Sequence, residues 1–476
     1  MMHVKILALC VVGLIFQYGC GDEIVEENLN KSDNKMETSS VGLTTNASPA
    51  MADPRMVGRA FLIQSRYREA LESFEEARRL YPNSGEILFG KGRAHLALGN
   101  SDSAKQFYEM GIALEPENPN LLIGMGNFHL KYNRYEEAEN SFRSALAIDS
   151  TKIIAQRNLA AVFTKQGRLA DASREYEKAL ELVPGHIPTQ FNFGLVQMHL
   201  GKYGQAQSIL KKIVKIDSMN SRAFYALGEA MMDQGENSQA EKHFERTLQI
   251  DTTYALAHIQ LARLLLKDNK LNEAANRLRR AILIEPGISE SFRLLGQIHL
   301  RQGRESAGQK SLDAYEKVKK FEKEIELLRE RLGDDPDDAE AHYALGYIYG
   351  RLGFTGVSLP HYGRVIQINP SHIKGLNNLG NIYFRTGNLD QASAAYEQLL
   401  SHHETHVPAM TALAQIYLQQ GKIDDAILYL EKAINIDDSW LPGYMGMVEA
   451  YKAQGDIRRS EEARSRVLEL KGEQRK

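Results

Sequence analysis

Apolar residues in this chain recur as pairs of short amphipathic stripes. Across residues 373–406, Leu376, Leu379, Gly380 and Tyr383 fall at helical spacing on one face. Gly387 and Asn388 then interrupt the pattern, and Ala392, Tyr396 and Leu399 form a second stripe. The pattern predicts two antiparallel helices joined by a tight turn. A pair this short cannot bury its own stripe and must lean on copies of itself.

The copies recur in steps of thirty-four residues. Leu-Gly or a near equivalent returns at Met125-Gly126, Leu159-Ala160, Phe193-Gly194, Leu227-Gly228, Leu261-Ala262 and Leu295-Gly296, then at Leu345-Gly346, Leu379-Gly380 and Leu413-Ala414. A small residue keeps phase in the second stripe, from Ala70 through Ala104 and Ala138 to Ala274, and again at Ala392 and Ala426. Closing prolines stand at Pro82, Pro116, Pro184, Pro286 and Pro370. The pattern resembles the tetratricopeptide repeat family, which places a small residue at position 8, an aromatic near 11, Ala at 20, an aromatic at 24 and Pro at 32. The resemblance covers about twelve repeats, from Met51 to Gln474. It implies an all-α, right-handed superhelical solenoid of helix-turn-helix units.

The phase slips once. Sixteen extra residues, 323–338, separate an eight-repeat arm (51–322) from a four-repeat arm with its cap (339–476). Leu312, Tyr315, Val318, Phe321, Ile325, Leu328 and Leu332 keep helical spacing through the slip. They predict one long second helix that projects beyond its neighbours and closes at Gly333 and Pro336. The first repeat reads as degraded, with Pro54, Val57 and Gly58 where packing residues belong.

Composition adds little to this picture. Hydrophobic residues are 43% of the chain, enough for a continuous core, and the net charge of -3 gives no basic excess for nucleic acid. Both cysteines, Cys10 and Cys20, lie near the amino terminus, which leaves no thiol chemistry in the repeats. An apolar run from Ile6 to Phe16 is too short to span a bilayer and suits a signal-peptide core, giving a signal segment over 1–19. Gly19-Cys20 at its end resembles a bacterial lipoprotein processing site, although Gln17 and Tyr18 depart from that pattern. The resemblance implies lipid attachment at Cys20; an ordinary cleavable signal is the alternative. Residues 20–50 then form a polar tether reaching roughly 30 Å. The expected location is the cell envelope, anchored to a membrane and facing the periplasm or exterior.

Candidate chemistry lies on the first helices. Positions 4, 7, 8 and 11 cluster on one side, and positions 2, 5, 9, 12 and 13 point largely the other way. The family resemblance implies that this second set lines a concave groove that receives peptides. Position 13 reads Lys131, Lys165, His199, Asp233, Lys267, Arg301, Arg351 and Arg385. Three consecutive repeats extend it: Arg293, Gln297 and Arg301; Tyr343, Tyr347 and Arg351; Asn377, Asn381 and Arg385. Guanidinium forks hold carboxylates, amides bond an extended backbone and tyrosines pack side chains. The set predicts a groove for acidic segments or free carboxyl ends. Position 13 also lies in the last helical turn, where any cation offsets the helix dipole, so each residue alone has a plainer explanation.

Other constellations are weaker. Gly85 to Gly92 nearly matches a phosphate loop but lies inside a first helix, with Gly92 in place of the magnesium-binding hydroxyl. His402, His403 and His406 fall near a loop, without further metal ligands in view. His129, His243 and His299 read as packing residues, and Met198, Met231 and Met232 as gap-fillers. No enzymatic constellation, metal or cofactor is expected. The sequence therefore predicts a non-catalytic scaffold for protein or peptide partners, with no nucleic-acid partner. Two alternatives stand beside it: an adaptor acting through the projecting helix near Phe321, and a non-catalytic subunit of an envelope enzyme complex.

Overall fold

Each predicted hairpin turns on one residue in the left-handed region. In the computed structural model, which describes residues 53–473, these residues are Gly99, Gly167, Gly201, Gly235, Gly303, Gly353, Gly387, Gly421 and Gly455, with φ of 71° to 87°. Ser65, Asn133 and Asn269 take the same place in the remaining three hairpins. A side chain costs energy there, and glycine does not. Twelve hairpins result, built from 24 helices, with no strand among the described residues. First helices begin at Gly85, Pro119, Ile153, Ile187, Ser221, Ala255 and Ser289, and after the slip at Ala339, Ile373, Val407 and Leu441. The step of thirty-four is kept on both sides.

Several first helices are capped from one place in the repeat. The Asn220 and Asp338 side chains each accept the backbone N–H three residues on, at 2.9 Å. His186, His372 and His406 do the same through Nδ1, at 3.2, 2.9 and 3.2 Å. This satisfies a donor that the helix itself leaves without a partner.

The small residue at position 8 makes room for a ring. A Cβ built on Gly126, Gly228 or Gly380 would come within 2.6, 2.7 and 2.7 Å of Phe142, Phe244 and Tyr396. Phe142 and Phe244 are completely buried, as are Ala138, Ala240 and Ala392 one turn earlier on the same helices. The first repeat obeys the same rule, contrary to the degraded reading. Pro54 occupies the first turn of its helix behind the Asp53 cap, and Gly58 accommodates Phe74.

Each second helix packs on its own first helix and on the next one. First helices also meet the first helices of adjacent repeats, and second helices approach one another less closely. Within each unit the first helices therefore form the inner wall. Two compact units result, one running to Lys319 and including Gly333–Asp335, the other comprising Lys320–Leu332 and Pro336–Lys476.

The long helix forms as expected, over Glu305–Asp334. Its extension does not project, which corrects the reading of a free helix near Phe321. Ile325 and Leu328 are buried, and with Phe321 and Leu332 they cover Ala341, Leu345, Ile348 and Tyr349 of the second unit. Phe321 stands thirty-four residues before Thr355, and Pro336 the same distance before the closing Pro370. The extension thus occupies the place of a preceding second helix and covers a stripe that would otherwise face water. Among the described residues no helix is long and apolar enough to cross a membrane.

Candidate functional site

The nine residues singled out in the sequence all sit on first helices, but they fall into two sets. Arg293, Gln297 and Arg301 belong to the first unit, and Tyr343, Tyr347, Arg351, Asn377, Asn381 and Arg385 to the second.

In the first unit the guanidinium of Arg293 is already engaged. Its Nε and Nη2 donate to Glu290 at 2.6 and 2.5 Å, and Arg263 donates to the same carboxylate at 3.1 Å. Burial pushes the Glu290 carboxyl up, but the bond from Arg293 and the two guanidinium charges outweigh it and hold the group below its ordinary range. Gln297 is exposed. Arg301 is exposed and donates to the turn residue Asn269 at 2.9 Å. Lys267 and Lys131 likewise reach back one repeat, to Asn237 at 3.2 Å and to the Leu96 carbonyl at 3.3 Å. His199, in the same column, is held below its ordinary pKa by burial. The column therefore ties repeats together as well as presenting charge.

The Arg293 pair ends a ladder that sequence reasoning missed. Tyr225 donates to Glu229 at 2.7 Å, and Gln260 donates to that carboxylate at 3.0 Å and to the Tyr225 oxygen at 3.2 Å. Arg263 then joins Gln260 at 3.2 Å to Glu290. Burial pushes the Glu229 carboxyl up to about 7. These residues occupy positions 2, 5, 6 and 9 of consecutive first helices, so the repeat register alone could have aligned them. Asn158 and Asn192 share position 6 and are buried, and Asn158 donates to Asn127 at 2.6 Å.

The second unit presents a more open wall. The rings of Tyr343 and Tyr347 stack with centroids 6.4 Å apart, and Tyr347 is 45% exposed. The Arg351 guanidinium lies 5.8 Å from the Tyr347 ring centre and 5.9 Å from that of Phe321. Tyr343 backs onto Tyr362 and His372, at 6.0 and 5.3 Å. One repeat on, Asn381 accepts the Tyr396 hydroxyl at 2.9 Å, and Asn378 donates to the Tyr362 hydroxyl at 3.0 Å. Burial pushes both phenols up to about 12, so both stay protonated. Asn377 is half-buried, and Arg385 is exposed with no bond to another described residue. Tyr347, Arg351, Asn377 and Arg385 thus offer ring faces, cations and an amide from adjacent repeats.

The weaker candidates have structural work. Gly92 accommodates Tyr108, while Lys91 is buried against Glu75 with Phe107 4.5 Å away. His403 reaches the Ser371 carbonyl at 2.8 Å, and His406 caps its helix. No group of three or more metal-ligating side chains occurs among the described residues. His243 stacks on Phe224, and His299 lies 3.4 Å from the Ser311 hydroxyl. Cys20, the signal segment and the tether lie outside the described residues.

Sequence profiles of the tetratricopeptide repeat match residues 56–119 and 123–187, the overlapping spans 163–230, 197–247 and 231–298, and residues 372–439. No curated protein matches the sequence. Among solved structures, a tetratricopeptide repeat protein from Parabacteroides merdae is 21% identical, with 52% of this chain and 98% of that one covered and a TM-score of 0.43. PilF of Pseudomonas aeruginosa is 19% identical over 44% of this chain and 94% of its own, with a TM-score of 0.39. YrrB, described as a repeat protein with an unusual peptide-binding site, is 21% identical over 39% and 95%, with a TM-score of 0.34. The repeat register, the ring-on-glycine packing and the matched profiles together make this chain a member of the tetratricopeptide repeat family.

Proposed function

We propose that this protein is an exported, membrane-anchored, non-catalytic scaffold that holds an extended segment of a protein partner on the first-helix wall of its second unit. The observation that carries this reading is the unsatisfied surface there. Tyr347 exposes much of its ring, Arg351 stands over it, and Arg385 has no internal carboxylate to neutralise it. Acidic side chains or a carboxyl end fit the two guanidinium groups, and an extended backbone fits the amide of Asn377. By contrast, the charge of Arg293 in the first unit is already offset by Glu290. Anchoring rests on Cys20 and its neighbours in sequence.

The test is charge reversal in the full chain. Arg351→Glu with Arg385→Glu abolishes partner retention, while reversal of Arg458 on the last second helix leaves it intact. Retention that survives the double reversal removes the groove from consideration. The mass of the mature amino terminus tests the anchor separately: an unmodified Cys20, or cleavage elsewhere, refutes it.

A further inference from the structure

The outer surface of the first unit carries a charge division that the net charge of the chain conceals. The second helices of repeats one to four (Tyr67–Leu80, Ser101–Leu114, Tyr135–Ile148 and Leu169–Leu182) are acidic overall. Those of repeats five to seven (Tyr203–Ile216, Asn237–Ile250 and Leu271–Ile284) hold eight Lys or Arg against three Glu, and the first of them has no acid at all. Lys212, Arg246 and Arg280 share position 26 in three consecutive repeats, and Lys211 and Arg279 share position 25.

These cations are available. Lys211, Lys212, Lys215, Arg279 and Arg280 are exposed. Lys211 and Arg279 donate only to the neutral amides of Gln207 and Asn276, at 3.1 and 2.8 Å. The acids on these helices are Glu245, which takes Arg277, and the exposed Glu241 and Glu273. At the helix ends Asp217 accepts from the Met219 N–H, Asp251 accepts from Thr253, and Glu285 is buried. The patch is continuous, because Arg246 reaches back to the Ser218 carbonyl at 3.1 Å and the Met219 sulfur at 4.0 Å.

Large aliphatic side chains stand among the charges. Ile216, Met219 and Leu283 are 65%, 64% and 70% exposed. Ile216 follows Lys212 by four residues, and Leu283 follows Arg279 by four, so each pair shares a helix face. Cations mixed with exposed aliphatic chains suit the headgroup boundary of an anionic bilayer, where the charges meet phosphate and the aliphatic tips leave water. A surface for single-stranded nucleic acid would instead offer ring faces for stacking, and none of the large apolar residues exposed in this patch is aromatic.

We infer that the outer face of repeats five to seven is a peripheral docking surface for an anionic lipid membrane. It acts in addition to any lipid anchor, and it lies on the second helices, away from the first-helix wall.

Vesicle flotation of the full chain carrying Cys20→Ala tests this without a covalent anchor. Phosphatidylcholine vesicles with and without phosphatidylglycerol are compared at low and high salt. The surface predicts flotation with the anionic vesicles at low salt and its loss at high salt. Each of Lys211→Gln, Lys212→Gln and Arg280→Gln weakens binding roughly five-fold. Ile216→Asn with Leu283→Asn weakens it further while the salt dependence persists. All these positions are exposed, and an unchanged helical circular dichroism spectrum verifies folding. Equal flotation with both vesicle types, or a triple glutamine variant that binds as well as the parent, overturns the proposal. So does retention on single-stranded RNA with no flotation, which would reassign the surface to nucleic acid.

Discussion

Nδ1 of His342 lies 2.9 Å from Nδ1 of His361, across the hairpin of helices Ala339–Leu352 and Thr355–Ile368. Only one proton fits between them. His342 Nε2 lies 3.1 Å from the Pro336 carbonyl and must donate to it, which leaves its Nδ1 to accept from His361. Tyr349 stacks on His361 at 5.9 Å, and Arg329 of the long helix adds positive charge nearby.

This pair predicts that the second unit loses stability in acid. Burial first, then His342 and Arg329, lower the His361 pKa from 6.5 to about 4. A depressed histidine contributes stability that is complete above 6.5 and is lost as pH falls toward about 4. The loss is on the order of 3 kcal/mol at most. Trp440 is the single tryptophan of the chain, and its Nε1 donates to Thr411 at 2.9 Å, so its fluorescence reports on this unit. Urea unfolding followed at Trp440 should lose midpoint between pH 7 and 4.5, and His361→Gln should flatten that dependence.

Glu229 predicts the opposite slope in the first unit. Burial raises this carboxyl from 4.5 to about 7, so its contribution is complete below 4.5 and lost as pH rises through about 7. Glu229→Gln should therefore stabilise the chain at pH 8 by about 3 kcal/mol at most, and little at pH 4.5. Thermal melts of the two proteins at both pH values check this; equal melting at pH 8 would show that the ionised carboxylate is well compensated.

Ring-on-glycine packing predicts a contrast between equivalent positions. Gly380→Ala places a methyl 2.7 Å from Tyr396 and should cost about 1–3 kcal/mol. Gly194→Ala meets Leu210 at an ordinary 3.5 Å, so the better helix propensity of alanine should leave it neutral or stabilising by up to about 1 kcal/mol. Denaturation midpoints of the two variants decide the matter.

The covered extension is tested at Leu328, which is 6% exposed. Leu328→Ala should cost about 2–5 kcal/mol in the second unit, read at Trp440. A neutral result would restore the picture of a free projecting helix.

Much of this fold was legible because the packing is local. Leu379, Gly380 and Ala392 belong to one hairpin, so their spacing reports their contacts directly. The extension was harder to read. Its helical stripe was visible, but what covered Ile325 and Leu328 depended on Leu345 and Tyr349, which meet it only through the fold. The site was harder still. Spacing placed Arg293 on the inner face with Glu290 three residues before it on the same helix. But Arg263, which shares that carboxylate, and Glu229 at the far end of the ladder come from packing between repeats, where burial decides which polar groups pair. Arg351 and Arg385 were legible because both stand at position 13, which the repeat register alone places at the exposed end of a first helix.

The proposed partner lies along the first helices of the second unit. A photo-reactive phenylalanine placed at Tyr347, Arg385 or Leu428 tests it most directly, since Leu428 is exposed on a second helix. Cross-links to the bound partner are expected from positions 347 and 385 and none from 428. Cross-links from 428 alone would contradict it.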